Sequence, residues 1–118
     1  MKQVKVIAVT ADEILFENDI RLYSDHDQDC CEHHYLDLEH IKIDDFEGLV
    51  FDLSNDNFFE RIEDYGIALK PINGFPIRIP GYGSNNGYYS SNLSLVLTDD
   101  KDFNKTFDIS ECQLIDWE

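Results

Sequence analysis

One short stretch of the sequence concentrates the residue types that bind metals or act as nucleophiles. SDHDQDCCEHH, residues 24–34, contains three aspartates, one glutamate, three histidines and two adjacent cysteines. Thiolate and imidazole groups bind zinc and similar ions, and carboxylates can complete the coordination shell. The stretch is therefore a candidate site for zinc or a similar divalent ion. Its candidate ligands are Asp25, His26, Asp27, Asp29, Cys30, Cys31, Glu32, His33 and His34.

The spacing of these residues argues against the simplest metal site. In an extended strand, adjacent side chains point to opposite faces and alternate ones stand roughly 6–7 Å apart, so neither face converges on one ion unless the chain bends. The stretch has no C-x-x-C or H-x-x-x-H pair, and Cys30 stands where a calcium loop needs glycine. We exclude an EF-hand and favour a structural turn, in which a cysteine packs into the core and polar neighbours satisfy the backbone.

A catalytic cysteine is a second chemical interpretation of the same stretch. A thiol needs a nearby base or a positive field to become a thiolate, and His26, His33 or His34 could supply the base. The surrounding carboxylates act in the opposite direction, because negative charge raises the pKa of a thiol. No oxyanion donor can be identified in the sequence. We therefore lean towards a protein without enzymatic activity.

A second segment has the composition of a binding loop. No Asp or Glu occurs from Tyr65 to Thr98, although the chain has 25 acidic residues. Within this window, GYGSNNGYYSS (residues 81–91) combines tyrosines with adaptable polar residues and with glycines that permit sharp turns. We hypothesise a recognition surface for a protein or a small polar ligand, formed by Tyr82, Asn85, Asn86, Tyr88 and Tyr89. A hairpin loop whose tyrosines cover the end of the core is the favoured alternative.

The elements around both segments show mostly a period of two, which predicts strands. The segments with this pattern are KQVKVIAV, EILFENDIRLYSD, IALKPI, FPIRIP, YYSSNLSLVLT and KTFDISECQLIDW, the last taken as one strand. HHYLDLEHIKI is interpreted as extended chain or as a strand with a break. Turns are predicted at Asn18-Asp19 and Asn73-Gly74. Proline lacks an N–H group, so strands should lie at a sheet edge, or begin or end, at Pro71, Pro76 and Pro80.

One segment, SNDNFFERIEDYG (residues 54–66), predicts a short helix. Its apolar positions 58, 62 and 65 share one helical face, Ser54 or Asn55 can cap its start, and Gly66 can end it. The whole pattern predicts an α+β fold with a mainly antiparallel sheet of six to eight short strands, sandwich-like or a partly open barrel, and one short helix. A length of 118 residues predicts one domain, residues 1–118.

Composition and charge narrow the classes of partner. The net charge is −16, and such a surface repels phosphate groups, so we expect neither direct nucleic-acid binding nor attachment to anionic membranes. The sequence has no long apolar stretch, and MKQVKVIAVTADE is not typical of a secretory signal. Its three cysteines do not form a disulfide framework. We therefore expect a reduced, cytoplasmic protein.

The two unusual segments resemble the signature segments of a family of small uncharacterised proteins from bacteria and their phages. Its members carry a D-Q-D-C-C-E core, here residues 27–32, and a downstream S-N-G-Y-Y-S-type segment, here residues 84–90 with one asparagine more. The intervening DFEGLVFDL is also similar, so the resemblance extends over most of the chain. It implies no established activity, but it suggests that the two segments meet in space and form one site.

These observations favour a small acidic binding module that contacts a protein partner through its Tyr/Asn/Ser-rich surface. One alternative is a metal-binding protein, or a metal-dependent enzyme, that uses residues 25–34. Another is an acidic inhibitor that mimics the charge of DNA, which the net charge of −16 supports. The sequence does not indicate an oligomeric state.

Overall fold

Two five-stranded sheets and a two-stranded ladder form the fold in a computed structural model. The structure describes residues 3–26, 33–85 and 92–117. The strands in these ranges are β1 (Gln3–Val4), β2 (Val6–Val9), β3 (Glu13–Phe16), β4 (Arg21–Asp25), β5 (His33–Leu36), β6 (Phe51–Asp52), β7 (Phe59–Ile62), β8 (Gly66–Leu69), β9 (Ile77–Asn85), β10 (Ser94–Thr98), β11 (Asn104–Asp108) and β12 (Leu114–Trp117). The mainly antiparallel, sheet-rich class is confirmed, with more strands than the predicted six to eight.

The first sheet has the order β11-β10-β4-β3-β2, in which β2-β3-β4 and β10-β11 are consecutive strands and the pairing of β4 with β10 joins the two groups. The turn predicted between β3 and β4 is confirmed: Asn18 and Asp19 have φ values of 66° and 62°, a region that Asn and Asp tolerate better than most residues. The predicted alternation in β10 is also confirmed, since Leu95 and Leu97 are fully buried. This sheet supplies one set of apolar side chains to the core.

The second sheet is organised by one long strand, β9. Residues 77–80 of β9 pair with β8, and residues 81–85 run between antiparallel β5 and parallel β12. The proline prediction is wrong for Pro80, which lies inside β9. Its carbonyl accepts the N–H of Asp37, one residue beyond the end of β5, so the missing N–H falls where that ladder stops.

The core between these elements is rich in phenylalanine. Phe58, Phe59 and Phe107 form a cluster with ring centroids 4.9–5.7 Å apart. Phe16 and Phe51 meet edge to face at 5.7 Å. Such aromatic pairs add to the stabilisation that comes from buried area alone. One continuous cluster of buried residues contains side chains from both sheets.

The prediction of a helix over residues 54–66 is wrong. The segment forms a single 3-10 turn, Asp56–Phe58, which Asn55 caps by accepting the N–H of Asn57, and then continues as β7. Phe58 and Phe59 are both buried against Phe107, whereas Tyr65, which would share a helical face with Phe58, is 37% exposed. The helices among the described residues are 3-10 turns of three or four residues, and none is long and apolar enough to span a membrane.

The prediction of one last strand is also wrong, because KTFDISECQLIDW forms β11 and β12. The Asp108 carboxylate accepts hydrogen bonds from the N–H and hydroxyl of Ser110, at 3.0 and 2.6 Å. This turn ends β11, and the buried Cys112 anchors the chain as it passes to the second sheet. There β12 pairs in parallel with β9, at the strand that carries the candidate site.

Candidate functional site

The described flanks of the two unusual sequence segments are neighbours in space. β4 and β10 pair with each other, and beyond them the Nδ1–H of His26 donates to the carbonyl oxygen of Asn92. His33, at the start of β5, lies opposite Ser84 in β9. The described residues that flank the segments 27–32 and 86–91 therefore lie side by side. The middle of each segment falls outside the described ranges, so the single site that the resemblance implies stays a prediction.

Several of the candidate residues also lie outside the described ranges. For the metal site they are Asp27, Asp29, Cys30, Cys31 and Glu32, and for the recognition surface Asn86, Tyr88 and Tyr89. Cys30 and Cys31 are both outside the described ranges, so the question of which one is buried lies there too. The structure places the remaining candidates, which are Asp25, His26, His33, His34, Tyr82 and the backbone of Asn85.

An open cleft of about 640 Å³ lies where β9 runs between β5 and β12. Tyr35 and Tyr82 are cross-strand neighbours with ring centroids 6.2 Å apart, and they are 47% and 37% exposed. Leu114 of β12 is 60% exposed. Large apolar groups that converge on a concave surface are typical of binding sites. The lining consists of His33, Tyr35, Tyr82, Gly83, Ser84, Leu114, Ile115 and Asp116.

The sequence Gly81-Tyr82-Gly83 explains how β9 carries this cleft. Tyr82 is exposed, whereas the two glycines are buried in an extended strand, and neither has a positive φ. A Cβ at Gly81 would overlap the carbonyl oxygen of Cys112, and one at Gly83 would overlap the His34 ring. The expectation of a sharp turn at these glycines is wrong: they allow close packing, and residues 81–85 are strand.

Behind the cleft lies a pair of histidines. His34 is only 6% exposed, and its Nδ1 lies 2.7 Å from Oε1 of Gln113. The amide nitrogen of Gln113 donates to the carbonyl oxygen of Ser110 at 2.9 Å, which fixes Oε1 as the acceptor and the Nδ1–H of His34 as the donor. The half-buried ring of His26 packs on His34 with ring centroids 4.5 Å apart and an interplanar angle of 63°.

The three histidines of residues 24–34 therefore do not lie on one face of the sheet. His26 and His34 come together, whereas His33 is exposed and lines the cleft, because neighbouring residues of β5 point to opposite faces. Gln113 and Asn92, which hold the two inward rings, were missed in the sequence. No local signal could have identified them, since each lies more than sixty positions along the chain from its histidine partner.

A third group of possible ligand atoms lies outside the predicted stretch. Oxygen and nitrogen atoms of Asp37, Glu39 and His40 lie within 4.8 Å of one another. Glu39 and His40 are exposed, and one Asp37 oxygen already accepts the N–H of Glu39 at 2.9 Å. Exposed groups of this kind are common without any ion, so we assign no metal to them.

Cys112, the cysteine within the described ranges, has low reactivity. Cys112 is fully buried, and burial raises the pKa of its thiol to about 11. The negative charge of the Glu111 carboxylate, 3.6 Å from the sulfur, is a second cause of this raised pKa. A thiol of this kind is almost entirely protonated near neutral pH and makes a poor nucleophile.

Comparison with protein-family models, curated proteins and solved structures yields no match to this chain. Two arrangements in the described residues carry recognisable chemistry. One is the aromatic cleft on β5, β9 and β12, and the other is the histidine pair behind it.

Proposed function

We propose that the protein is a non-enzymatic binding module that holds a protein partner in the cleft between β5, β9 and β12. One observation carries the proposal: Tyr35, Tyr82 and Leu114 are exposed together around a concavity of about 640 Å³. Tyrosines at the centre of an interface contribute a disproportionate share of binding free energy, because they bury large rings and keep a hydroxyl for hydrogen bonding.

The cleft is held on regular structure, which favours binding with little rearrangement. Tyr35 and Tyr82 face each other across a paired ladder, and their backbones are fixed by the hydrogen bonds between β5 and β9. Side chains on paired strands lose less conformational entropy on binding than those of a mobile loop. The cleft is therefore suited to recognising a defined apolar anchor on its partner.

The outer edge of β12 offers a second contact. One edge of β12 pairs with β9, and no other strand within the described ranges pairs with it. Unpaired strand edges accept an extended segment of a partner through main-chain hydrogen bonds, while adjacent pockets select its side chains. An extended segment along β12 would place alternate side chains beside Leu114 and the tyrosines.

Charge selects the class of partner. The chain carries −16, and Asp116 at the cleft rim is exposed, whereas β9 lies in the window without acidic residues. A second copy would bring another −16 to the interface, and this repulsion disfavours self-association. The arrangement fits a partner with an apolar anchor surrounded by basic residues, since opposite potentials speed association and suppress wrong partners.

The test compares capture by three forms of the protein that differ at one exposed aromatic residue. Wild type, Tyr82→Ser and the control Phe75→Ser are immobilised, and captured proteins are quantified by mass spectrometry. Phe75 is 89% exposed and does not line the cleft. Candidates that Tyr82→Ser loses and Phe75→Ser keeps are purified and titrated directly. We expect Tyr82→Ser to weaken binding at least about tenfold, with an unfolding transition like that of wild type.

Two outcomes contradict the proposal. Partners that bind Tyr82→Ser and wild type equally would place the interface elsewhere, and the absence of any partner that distinguishes the two forms would remove the cleft as a binding site. The DNA-mimic alternative gives a different signature. Its partner would be a DNA-binding protein released by competing DNA, its affinity would fall steeply with salt, and the Tyr82→Ser substitution would leave that affinity unchanged.

A further inference from the structure

The two inward histidines are held in the way that proteins hold imidazole ligands of metals. Each ring donates its Nδ1–H to an oxygen from a distant part of the chain, His26 to the Asn92 carbonyl and His34 to the Gln113 side chain. With Nδ1 protonated, the lone pair of a neutral ring is at Nε2. Metal-ligating histidines almost always have such a hydrogen bond at the other nitrogen, because it fixes the tautomer and the ring orientation.

The distance between the two ring centres is close to that of two imidazoles on one ion. With metal–nitrogen distances of about 2.1 Å and a near-tetrahedral angle, two imidazole ring centres lie about 5 Å apart. The centroids of His26 and His34 are 4.5 Å apart, and the ring planes are inclined by 63°. His34 is buried and His26 half-buried, so an ion between them would be only partly exposed to solvent.

We infer that His26 and His34 bind a divalent ion that prefers imidazole, zinc above all, through Nε2, and that Gln113 positions His34 for this purpose. Magnesium and calcium prefer oxygen ligands and do not fit a site with two imidazoles. The inference goes beyond the proposed function, because it concerns the buried side of β5 and not the cleft. It also differs from the ligand set predicted from the sequence, because it excludes His33.

The test is a cobalt titration of protein prepared without chelators or affinity-tag metals. Cobalt serves as a coloured substitute for zinc, binding is followed by visible absorption, and zinc competition gives the zinc affinity. We expect one ion per chain, confirmed by native mass spectrometry. A tetrahedral ion needs two further ligands, from protein or water, and a strong near-ultraviolet charge-transfer band would show whether a thiolate is among them.

Substitutions separate this site from the others. His26→Ala, at a half-buried position, should reduce cobalt affinity at least about tenfold, whereas the matched controls His33→Ala and His40→Ala, both at exposed positions, should bind as wild type does. Gln113→Ala should weaken binding about 10–100-fold, and Gln113→Glu, which keeps an acceptor oxygen, should restore it. Unfolding curves of the metal-free variants show whether each one is folded.

The result that overturns the inference is specific. Stoichiometric cobalt bound equally well by His26→Ala and wild type would move the ion to other residues, and no stoichiometric binding by wild type would remove it. Loss in His33→Ala with retention in His26→Ala would reverse the assignment. Tyr82→Ser should keep its cobalt affinity, so failure of this inference and failure of the cleft proposal are told apart.

Discussion

At Gly83, the lack of a side chain lets β9 pass directly against the hydrogen bond between His34 and Gln113. A Cβ at this position would lie 2.7 Å from Oε1 of Gln113 and would overlap the His34 ring. Both neighbours are buried and cannot move aside easily. We expect Gly83→Ala to lower the free energy of unfolding by about 1–3 kcal/mol, the usual cost of overpacking, as measured by urea denaturation.

Gly74→Ala is the matched control for this substitution. A Cβ at Gly74 would lie 2.5 Å from Cδ2 of Leu49, but that atom is the tip of a half-buried, flexible side chain that can change its rotamer. The expected loss is smaller, within about 1 kcal/mol. Equal losses in the two variants would mean that the close packing behind the cleft contributes nothing special to stability.

The reactivity of Cys112 provides a second prediction for a single residue. Because its thiol is fully buried and has a pKa of about 11, only about one molecule in a thousand carries the thiolate at about pH 8. We expect iodoacetamide to leave Cys112 unmodified in the native protein and to modify it after unfolding in urea. Peptide mapping by mass spectrometry distinguishes Cys112 from the other two cysteines. Rapid native modification at Cys112 would contradict its burial.

The individual residues of the candidate site were only partly predictable from the sequence. Tyr82 was identified because its segment has the composition of a binding surface, and the structure places it in the cleft. Tyr35 and Leu114 lie in unremarkable strand sequences, and they join Tyr82 only because β5 and β12 pair on opposite edges of β9. Pairing between distant strands leaves no local pattern in the sequence.

Two turns between strands use the same Asp-x-Ser motif. Hydrogen bonds from Ser54 hold the pKa of Asp52 below its usual value, and those from Ser110 do the same for Asp108. The hydroxyl of Ser110 also accepts the N–H of Leu93, at 3.1 Å. The second turn therefore connects two elements of the fold, whereas the first is local.

Ser110→Ala tests the second turn, and Ser54→Ala is its control. We expect Ser110→Ala to reduce stability by about 1 kcal/mol or more at neutral pH, because the N–H of Leu93, just before β10, also loses its acceptor. Ser54→Ala should cost less. A carboxylate whose pKa is lower in the folded than in the unfolded state stabilises the protein at pH values above its unfolded-state pKa. This stabilisation is lost as the pH falls through the folded-state pKa. The Ser110→Ala deficit should therefore narrow below about pH 4, when denaturation is measured against pH. A deficit that does not change with pH would exclude the Asp108 contribution.

Strands were predictable where the apolar alternation was local, and the other elements were not. The hairpin of β3 and β4 has its own turn residues and alternating core positions, so sequence and structure agree. The segment 54–66 also has a helical pattern, but docking of Phe58 and Phe59 together outweighs it. The turn at Asp108 was missed because its hydrogen bonds interrupt a pattern that reads as one continuous strand.

For the molecule as a whole, charge opposes the compact state. The chain has 25 acidic residues against 9 Lys and Arg, and the ion pairs that the structure describes, such as Arg21 with Glu13 and Asp100 at 3.1 and 2.9 Å, are partly exposed. Raising NaCl from about 0.01 M to about 0.15 M shortens the Debye length from about 30 to about 8 Å. We expect the thermal unfolding midpoint to rise over this range, as followed by circular dichroism.

Choline chloride distinguishes screening from the binding of a particular cation. General screening should raise the midpoint equally in choline chloride and in NaCl at the same ionic strength. A rise in NaCl alone would point to bound sodium. A fall in both salts would mean that attractive ion pairs outweigh the net repulsion, contrary to the expectation.

The pairing of β4 with β10 has a consequence for the protein during its synthesis. His26 and Asn92, which flank this pairing, are 66 positions apart. At about 5–20 residues per second, the meander β2-β3-β4 leaves the ribosome several seconds before β10 exists. During this interval the edge of β4 has no partner, and such edges are templates for aggregation. We expect repulsion between the acidic residues of the meander to keep identical nascent chains apart, so that the charge opposing the folded state would protect the chain during its synthesis.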